Sequence, residues 1–133
     1  MVTNRRQEYI SPEEYLEGEK ISEIKHEYID GEVYAMAGAS DAHINISGNL
    51  YIRLRNHLRG GGCSVYISDM KAQIHRRNRY YYPDVMVTCD PRDRDSEYSK
   101  GHSSLIIEVL SDSTEAKDRG TKFKDYRRSP SLQ

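Results

Sequence analysis

The sequence has no tryptophan and a single phenylalanine, so its aromatic packing falls to 11 tyrosines, each with a hydroxyl that wants a hydrogen-bond partner or water. It has two cysteines, Cys63 and Cys89, without Cys-x-x-Cys spacing. They read as small buried thiols, and with the polar stretch over residues 1–9 offering nothing like a signal peptide, the expectation is a reducing, cytoplasmic location. No apolar run approaches the roughly 18 residues of a membrane-spanning helix, so no membrane partner is expected. No block of like charge occurs, and the formal net charge of -1 excludes a uniformly basic surface. There is no internal repeat, low-complexity tract or interdomain linker, so residues 1–133 are expected to form one domain around one core.

The stretch that organises the rest runs over residues 103–114. Residues 105–110 are apolar except for Glu108, and Ser111, Asp112, Ser113 and Thr114 then supply a turn and a helix cap. This reads as a buried strand feeding a helix. A carboxylate inside such a strand must replace its lost hydration with hydrogen bonds, a cation or a metal.

Upstream, Ser11-Pro12-Glu13-Glu14 is a helix start with cap, first-turn proline and capping glutamate, and Gly18 is its expected stop. Asp30-Gly31 between residues 24–29 and 32–37 predicts a tight hairpin. A helix capped by Ser40 or Asp41 follows, with Ile46, Leu50, Leu54 and Leu58 as its buried stripe and His43 on nearly the same side. Gly60-Gly61-Gly62 ends it. Residues 63–67 and 70–75 read as strands, Arg76, Arg77, Asn78 and Arg79 as a polar turn, and residues 80–88 as one returning strand. Residues 90–101 lack periodicity and read as a long exposed loop or flap. The final helix, residues 114–128, stacks Asp118, Lys122 and Tyr126 at four-residue spacing on one side.

Tyr82-Pro83-Asp84 puts an acid just after a proline at the mouth of a strand. Alternation places Asp84 with Met86 and Thr88, and Glu108 with Ile106 and Leu110. If the two strands are neighbours in suitable register, the acids converge, and two carboxylates that close need a cation between them. Oxygen donors suit Mg²⁺ or Mn²⁺, and an ion held this way can polarise a phosphoryl oxygen and activate water. Lys122 is the cation best placed to stabilise developing charge.

At these residues the sequence resembles a known family. Glu27-Tyr28-Ile29-Asp30-Gly31-Glu32, His43, Tyr82-Pro83-Asp84, Glu108-Val109-Leu110-Ser111-Asp112-Ser113-Thr114 and Asp118-Arg119-Gly120-Thr121-Lys122 together are similar to the bacterial restriction-endonuclease-like family of uncharacterised proteins within the PD-(D/E)xK nuclease superfamily. The resemblance implies an α+β fold, with a central, mostly antiparallel sheet flanked by helices and preceded by a helix and hairpin. It also implies a metal-dependent nuclease hydrolysing phosphodiester bonds in DNA. By motif, Asp84 and Glu108 would be the ligands of Mg²⁺ or Mn²⁺, and Lys122 would stand in for the lysine that the superfamily usually carries where Leu110 lies here. Glu27 and His43 match positions at the edge of the site, with outer hydrogen bonding or ligand support as their implied role. The last strand of that core is expected to be missing.

Plainer readings stand beside these. Asp84 can be a turn cap, Glu108 half of a buried ion pair with an arginine, Lys122 and Glu27 solvated charges, and His43 a cap or core histidine. The chain can equally be a catalytically silent module of the same fold that binds nucleic acid or a protein partner. An unpaired sheet edge keeps a homo-oligomer open.

Overall fold

The computed structural model describes residues 8–74, 78–110 and 118–132, with the backbone alone for 118 and 119. Helix α1, Pro12–Ile21, begins as the sequence predicts: Glu14 N donates to Ser11 Oγ at 3.1 Å, and Ser11 N donates back to Glu14 Oε1 at 2.9 Å. It runs past Gly18, where a side chain would meet nothing, so that glycine does not stop it. Strands β1, His26–Ile29, and β2, Glu32–Ala35, form the expected hairpin. Its turn needs glycine, because Gly31 sits at φ +94° and an added Cβ would lie 2.1 Å from the Tyr9 ring.

Helix α2, Asp41–Leu58, is capped by Ser40, whose hydroxyl accepts from His43 N at 3.1 Å. Its inner face is Ser47, Leu50, Tyr51, Leu54 and Leu58. Ile46, expected in that stripe, is 48% exposed: a step of four residues overshoots the helical period, and Ser47 holds the inner position instead.

Six more strands follow: β3, Ser64–Ile67; β4, Lys71–Ile74; β5, Arg79–Tyr81; β6, Val85–Thr88; β7, Ser99–Lys100; and β8, Ser103–Ile107. They form a five-stranded sheet ordered β2-β1-β5-β4-β7 and a three-stranded sheet ordered β3-β6-β8, antiparallel throughout except for β4 with β7. The single strand expected over residues 80–88 is therefore two strands in different sheets. Pro83 lacks the N–H that a continuous ladder would use, and the chain changes sheet at Pro83 and Asp84.

The strand expected over residues 105–110 also ends earlier, at Ile107, and Leu105 and Leu110 are partly exposed, so Glu108 lies just beyond the ladder rather than within it. The last helical segment is a π-helical turn, Asp118–Lys122, leading into α3, Phe123–Arg127. The predicted cap at residues 111–114, the side chain of Asp118, and Arg76 and Arg77 of the polar turn lie outside the described residues.

Tyr15, Tyr28, Tyr80, Tyr81, Tyr82 and Tyr126 are buried, and the hydroxyls of Tyr15, Tyr28, Tyr81, Tyr82 and Tyr126 each donate to a carbonyl or carboxylate, whereas Tyr9, Tyr34 and Tyr98 are exposed. Tyr15, Tyr28 and Tyr80 cluster between α1 and the first sheet, with Tyr15 donating to the His26 carbonyl at 2.5 Å and Tyr28 to the Ile10 carbonyl at 2.7 Å. Tyr81 packs with Ala72, Ile74, Met86 and Tyr126 and donates to Asp125 Oδ2 at 2.5 Å. Val65, Val85 and Val87 pack against α2.

Two expectations are corrected here. The first is the cysteines: Cys63 and Cys89 stand one rung beyond the Ser64–Thr88 pair of β3 and β6 and are joined in a disulfide. The argument from lone thiols to a reducing compartment loses its premise. None of the described helices is long and apolar enough to cross a membrane.

The second is the loop at residues 90–101, which is a pinned substructure rather than a flap. A short 3₁₀ helix, Pro91–Asp95, buries Asp93, whose carboxylate accepts from the Thr88 hydroxyl, Gly101 N at 3.0 Å and His102 N at 3.2 Å. The buried Lys100 ammonium donates to the carbonyls of Asp93 and Ser96. Asp93→Ala strands those donors, so it is expected to cost about 2 kcal/mol and to speed exchange of the Gly101 and His102 amides, both read by hydrogen-exchange mass spectrometry. Unchanged protection would show that the carboxylate does not hold the segment.

Candidate functional site

The second sheet supplies the register on which the acids converge. Strands β6 and β8 pair antiparallel, Met86 opposite Ile106 and Val85 opposite Ile107, so the next rung outward sets Asp84 against Glu108. Both leave the ladder on the face of Met86 and Ile106. Asp84 is held there by the main chain beside its counterpart: Val109 N donates to Asp84 Oδ2 at 2.7 Å. His43, reaching in from the first turn of α2, brings Nε2 within 3.3 Å of the same oxygen. Both contacts fall on Oδ2, and Oδ1 carries no hydrogen bond from the described residues.

Glu108 is tied in the same one-sided way. Tyr126 Oη donates to Glu108 Oε2 at 2.7 Å, and Lys122 Nζ lies 2.9 Å from it. Oε1 is again without a partner among the described residues. Neither open oxygen is a sealed, unsatisfied atom; the one such side-chain atom found among the described residues is Ser47 Oγ.

Lys122 is 3% exposed and bridges Glu108 to Glu27, whose Oε2 is 3.0 Å from the ammonium and also accepts from Tyr82 N at 2.9 Å. The Tyr81 ring lies 5.2 Å from Nζ. Burial works against the charge on Lys122, but Glu108 and then Glu27 outweigh it and hold the amine above its ordinary value. Burial pushes the Glu108 carboxyl up to about 7; Lys122 and then Tyr126 pull against it, and the Asp84 charge adds to it. Burial, then Glu108, raises the Tyr126 hydroxyl well above its ordinary value, so it remains a donor.

The structure thus brings together all five residues singled out in the sequence: Asp84 with His43, and Glu108 with Lys122 and Glu27. Glu108 does sit in a buried ion pair, but its partner is lysine, not arginine, and Glu27 is buried rather than solvated at its hairpin. Tyr126 was visible as a neighbour of Lys122 one turn on, yet its bond to Glu108 was not foreseen. The amides of Val109 and Tyr82 carry almost no sequence signal, since any residue but proline supplies an N–H.

A hard divalent ion, if bound here, would be held by the carboxylates of Asp84 and Glu108. Among the described residues no group of three or more His, Cys, Asp or Glu is gathered to hold a metal, so an all-protein cage is not what these donors make. Two carboxylates, each with an oxygen that takes no hydrogen bond from the described residues, have the donor chemistry of an ion such as Mg²⁺, which keeps several waters and completes its shell with substrate phosphate.

A family described as Uma2, putative restriction endonuclease, matches residues 12–133. The chain belongs to the Uma2 family. Two Synechocystis proteins are similar to this Uma2 chain, both described as uncharacterised: one, slr1290, is 52% identical over 93% of the chain, and the other, sll1609, 38% identical over 90%. The chain spans 65% of the length of the first and 69% of the second. Among solved structures, a crystal structure described as a putative nuclease belonging to DUF820, from Anabaena variabilis, superposes with a TM-score of 0.63 over 88% of this chain and 65% of its own, at 18% identity. At that identity the likeness shows a shared fold: a mixed α+β architecture with mostly antiparallel sheets flanked by helices, as the sequence implied.

Proposed function

We propose that the protein is a divalent-metal-dependent nuclease that hydrolyses phosphodiester bonds in DNA, with Asp84 and Glu108 holding Mg²⁺ or Mn²⁺. The observation that carries this reading is the placement of Asp84 and Glu108 one rung beyond the last pair of the β6–β8 ladder, each with one oxygen tied down and the other without a hydrogen bond from the described residues. When bound, the ion would polarise a phosphoryl oxygen and lower the pKa of a water.

The chain's own residues do the positioning. Val109 N and His43 fix the Asp84 carboxylate, and Tyr126 and Lys122 fix that of Glu108, so the two carboxylates are preorganised rather than free to rotate. Flanked by Glu27 and Glu108, the Lys122 ammonium is a fixed positive charge beside the acids, suited to developing phosphoryl charge. Glu27 acts through Lys122 and is a positioning residue. Membership of the Uma2 family supports the reaction class, and oxygen-only donors support the choice of metal.

The experiment is cleavage of plasmid and linear DNA by the purified chain with Mg²⁺ or Mn²⁺, after chelation, and after metal is restored. Products that appear with metal, vanish with chelator and return on re-addition are expected. Cleavage indifferent to chelation would overturn the metal's role.

One observation favours a second reading, a silent module that binds DNA without cutting it: Lys122 is buried with both carboxylates on its ammonium, as in a structural ion pair. On that reading DNA binds without metal, with strong salt dependence, and no products form.

A further inference from the structure

Helix α2 has a second face besides the one that packs on β3 and β6. A quarter turn round the helix from Ser47 and Leu54, the residues Asp41, Ile44, Gly48, Ile52 and Arg55 recur at steps of three and four and form one strip. The strip faces outward. Ile44 is 59% and Ile52 56% exposed, and a Cβ built on Gly48 would meet nothing within 4 Å. Two isoleucines held in water on either side of a glycine are an unspent apolar surface.

The strip is also symmetric about its glycine. Ile44 and Ile52 lie four residues before and after Gly48, and Asp41 and Arg55 seven before and after. A helix face that reads apolar in both directions, but acidic at one end and basic at the other, is complementary to itself when reversed. Running parallel, it would set Asp41 on Asp41 and Arg55 on Arg55.

We propose that this strip is the two-fold contact of a homodimer, with α2 antiparallel to the same helix of a second copy and the two Gly48 residues at the crossing. Ile44 then packs on Ile52 of the partner subunit and Asp41 meets Arg55 of the partner subunit, each contact occurring twice. Glycine at the crossing lets the helix axes approach to the near end of the usual 8–10 Å. Today Asp41 accepts from Asn45 Nδ2 at 2.8 Å and Arg55 reaches Tyr51 Oη at 3.4 Å, both on the exposed side, so neither is committed to a distant element. One helix pair is a small interface, so the dimer is a reversible one.

The contact is coupled to the site already described. His43, which touches Asp84, is the neighbour of Ile44, and ten residues of helix separate the two copies of His43 across the crossing, about 15 Å along the axes. The dimer therefore sets both Asp84–Glu108 sites on one assembly. It does not depend on what those sites catalyse.

Sedimentation velocity over a concentration series reaching the order of 10⁻⁴ M tests it. The expected result is a reversible shift from 15.4 kDa toward twice that mass. Gly48→Leu should weaken association at least tenfold without lowering the melting temperature, because a Cβ at this position meets nothing within 4 Å in the single chain and leucine is the better helix former. Asp41→Arg should weaken it as well, and Asp41→Arg combined with Arg55→Asp should restore it. A chain that stays monomeric throughout, leaving the strip to some other occupant, overturns the proposal, and so does a dimer indifferent to Gly48→Leu and to the charge reversal.

Discussion

Lys122→Met is expected to lower the stability of the chain by about 3–5 kcal/mol, a fall in melting temperature of more than about 10 °C. The ammonium is the counter-charge for two buried carboxylates, at 3.0 Å from Glu27 and 2.9 Å from Glu108. Methionine keeps the packing against Tyr81 but leaves both acids facing each other without it. The loss should be partly relieved in Lys122→Met with Glu27→Gln, since one stranded charge has then gone, and urea denaturation of the four chains forms the double-mutant cycle that shows it. A cost below about 1 kcal/mol would mean that the bridge contributes no more than a surface ion pair.

The second large effect is on chemistry. Asp84→Ala and Glu108→Ala should each cut metal-dependent cleavage of DNA by at least about 10²- to 10³-fold. The two should not add, because a site that needs both donors has lost its ion once either is gone. The stabilities should respond differently from the activities. Asp84 is held by one amide and one imidazole, whereas Glu108 anchors Tyr126 and Lys122, so the Glu108 variant should unfold the more easily of the two while both are inactive. Full activity in either variant would remove that acid from the reaction.

What the sequence made legible, and what it hid, follows from where each signal lives. Local rules worked where the physics is local: Ser11 with Glu14, Ser40 before α2, and Asp30-Gly31 all specify backbone geometry within four residues. The side on which Asp84 and Glu108 lie was readable because strand alternation fixes sides, and the antiparallel register of β6 and β8, carried one rung past Val85 and Ile107, sets them against each other. The split of residues 80–88 into two sheets was not read, although Pro83 carried the signal. The segment after Asp90 was hidden for a different reason: its order comes from one buried carboxylate gathering donors from Thr88, Gly101 and His102, a contact set with no period. The Cys63–Cys89 bond depends likewise on β3 and β6 being neighbours, which spacing alone does not reveal.

Calorimetric titration of Mn²⁺ into the purified chain tests most directly, and without reference to any substrate, the proposal that the Asp84 and Glu108 carboxylates share one divalent ion. One ion per chain is predicted, with binding lost in Asp84→Asn and again in Glu108→Gln while both variants remain folded by circular dichroism. An unchanged affinity in either variant would contradict it.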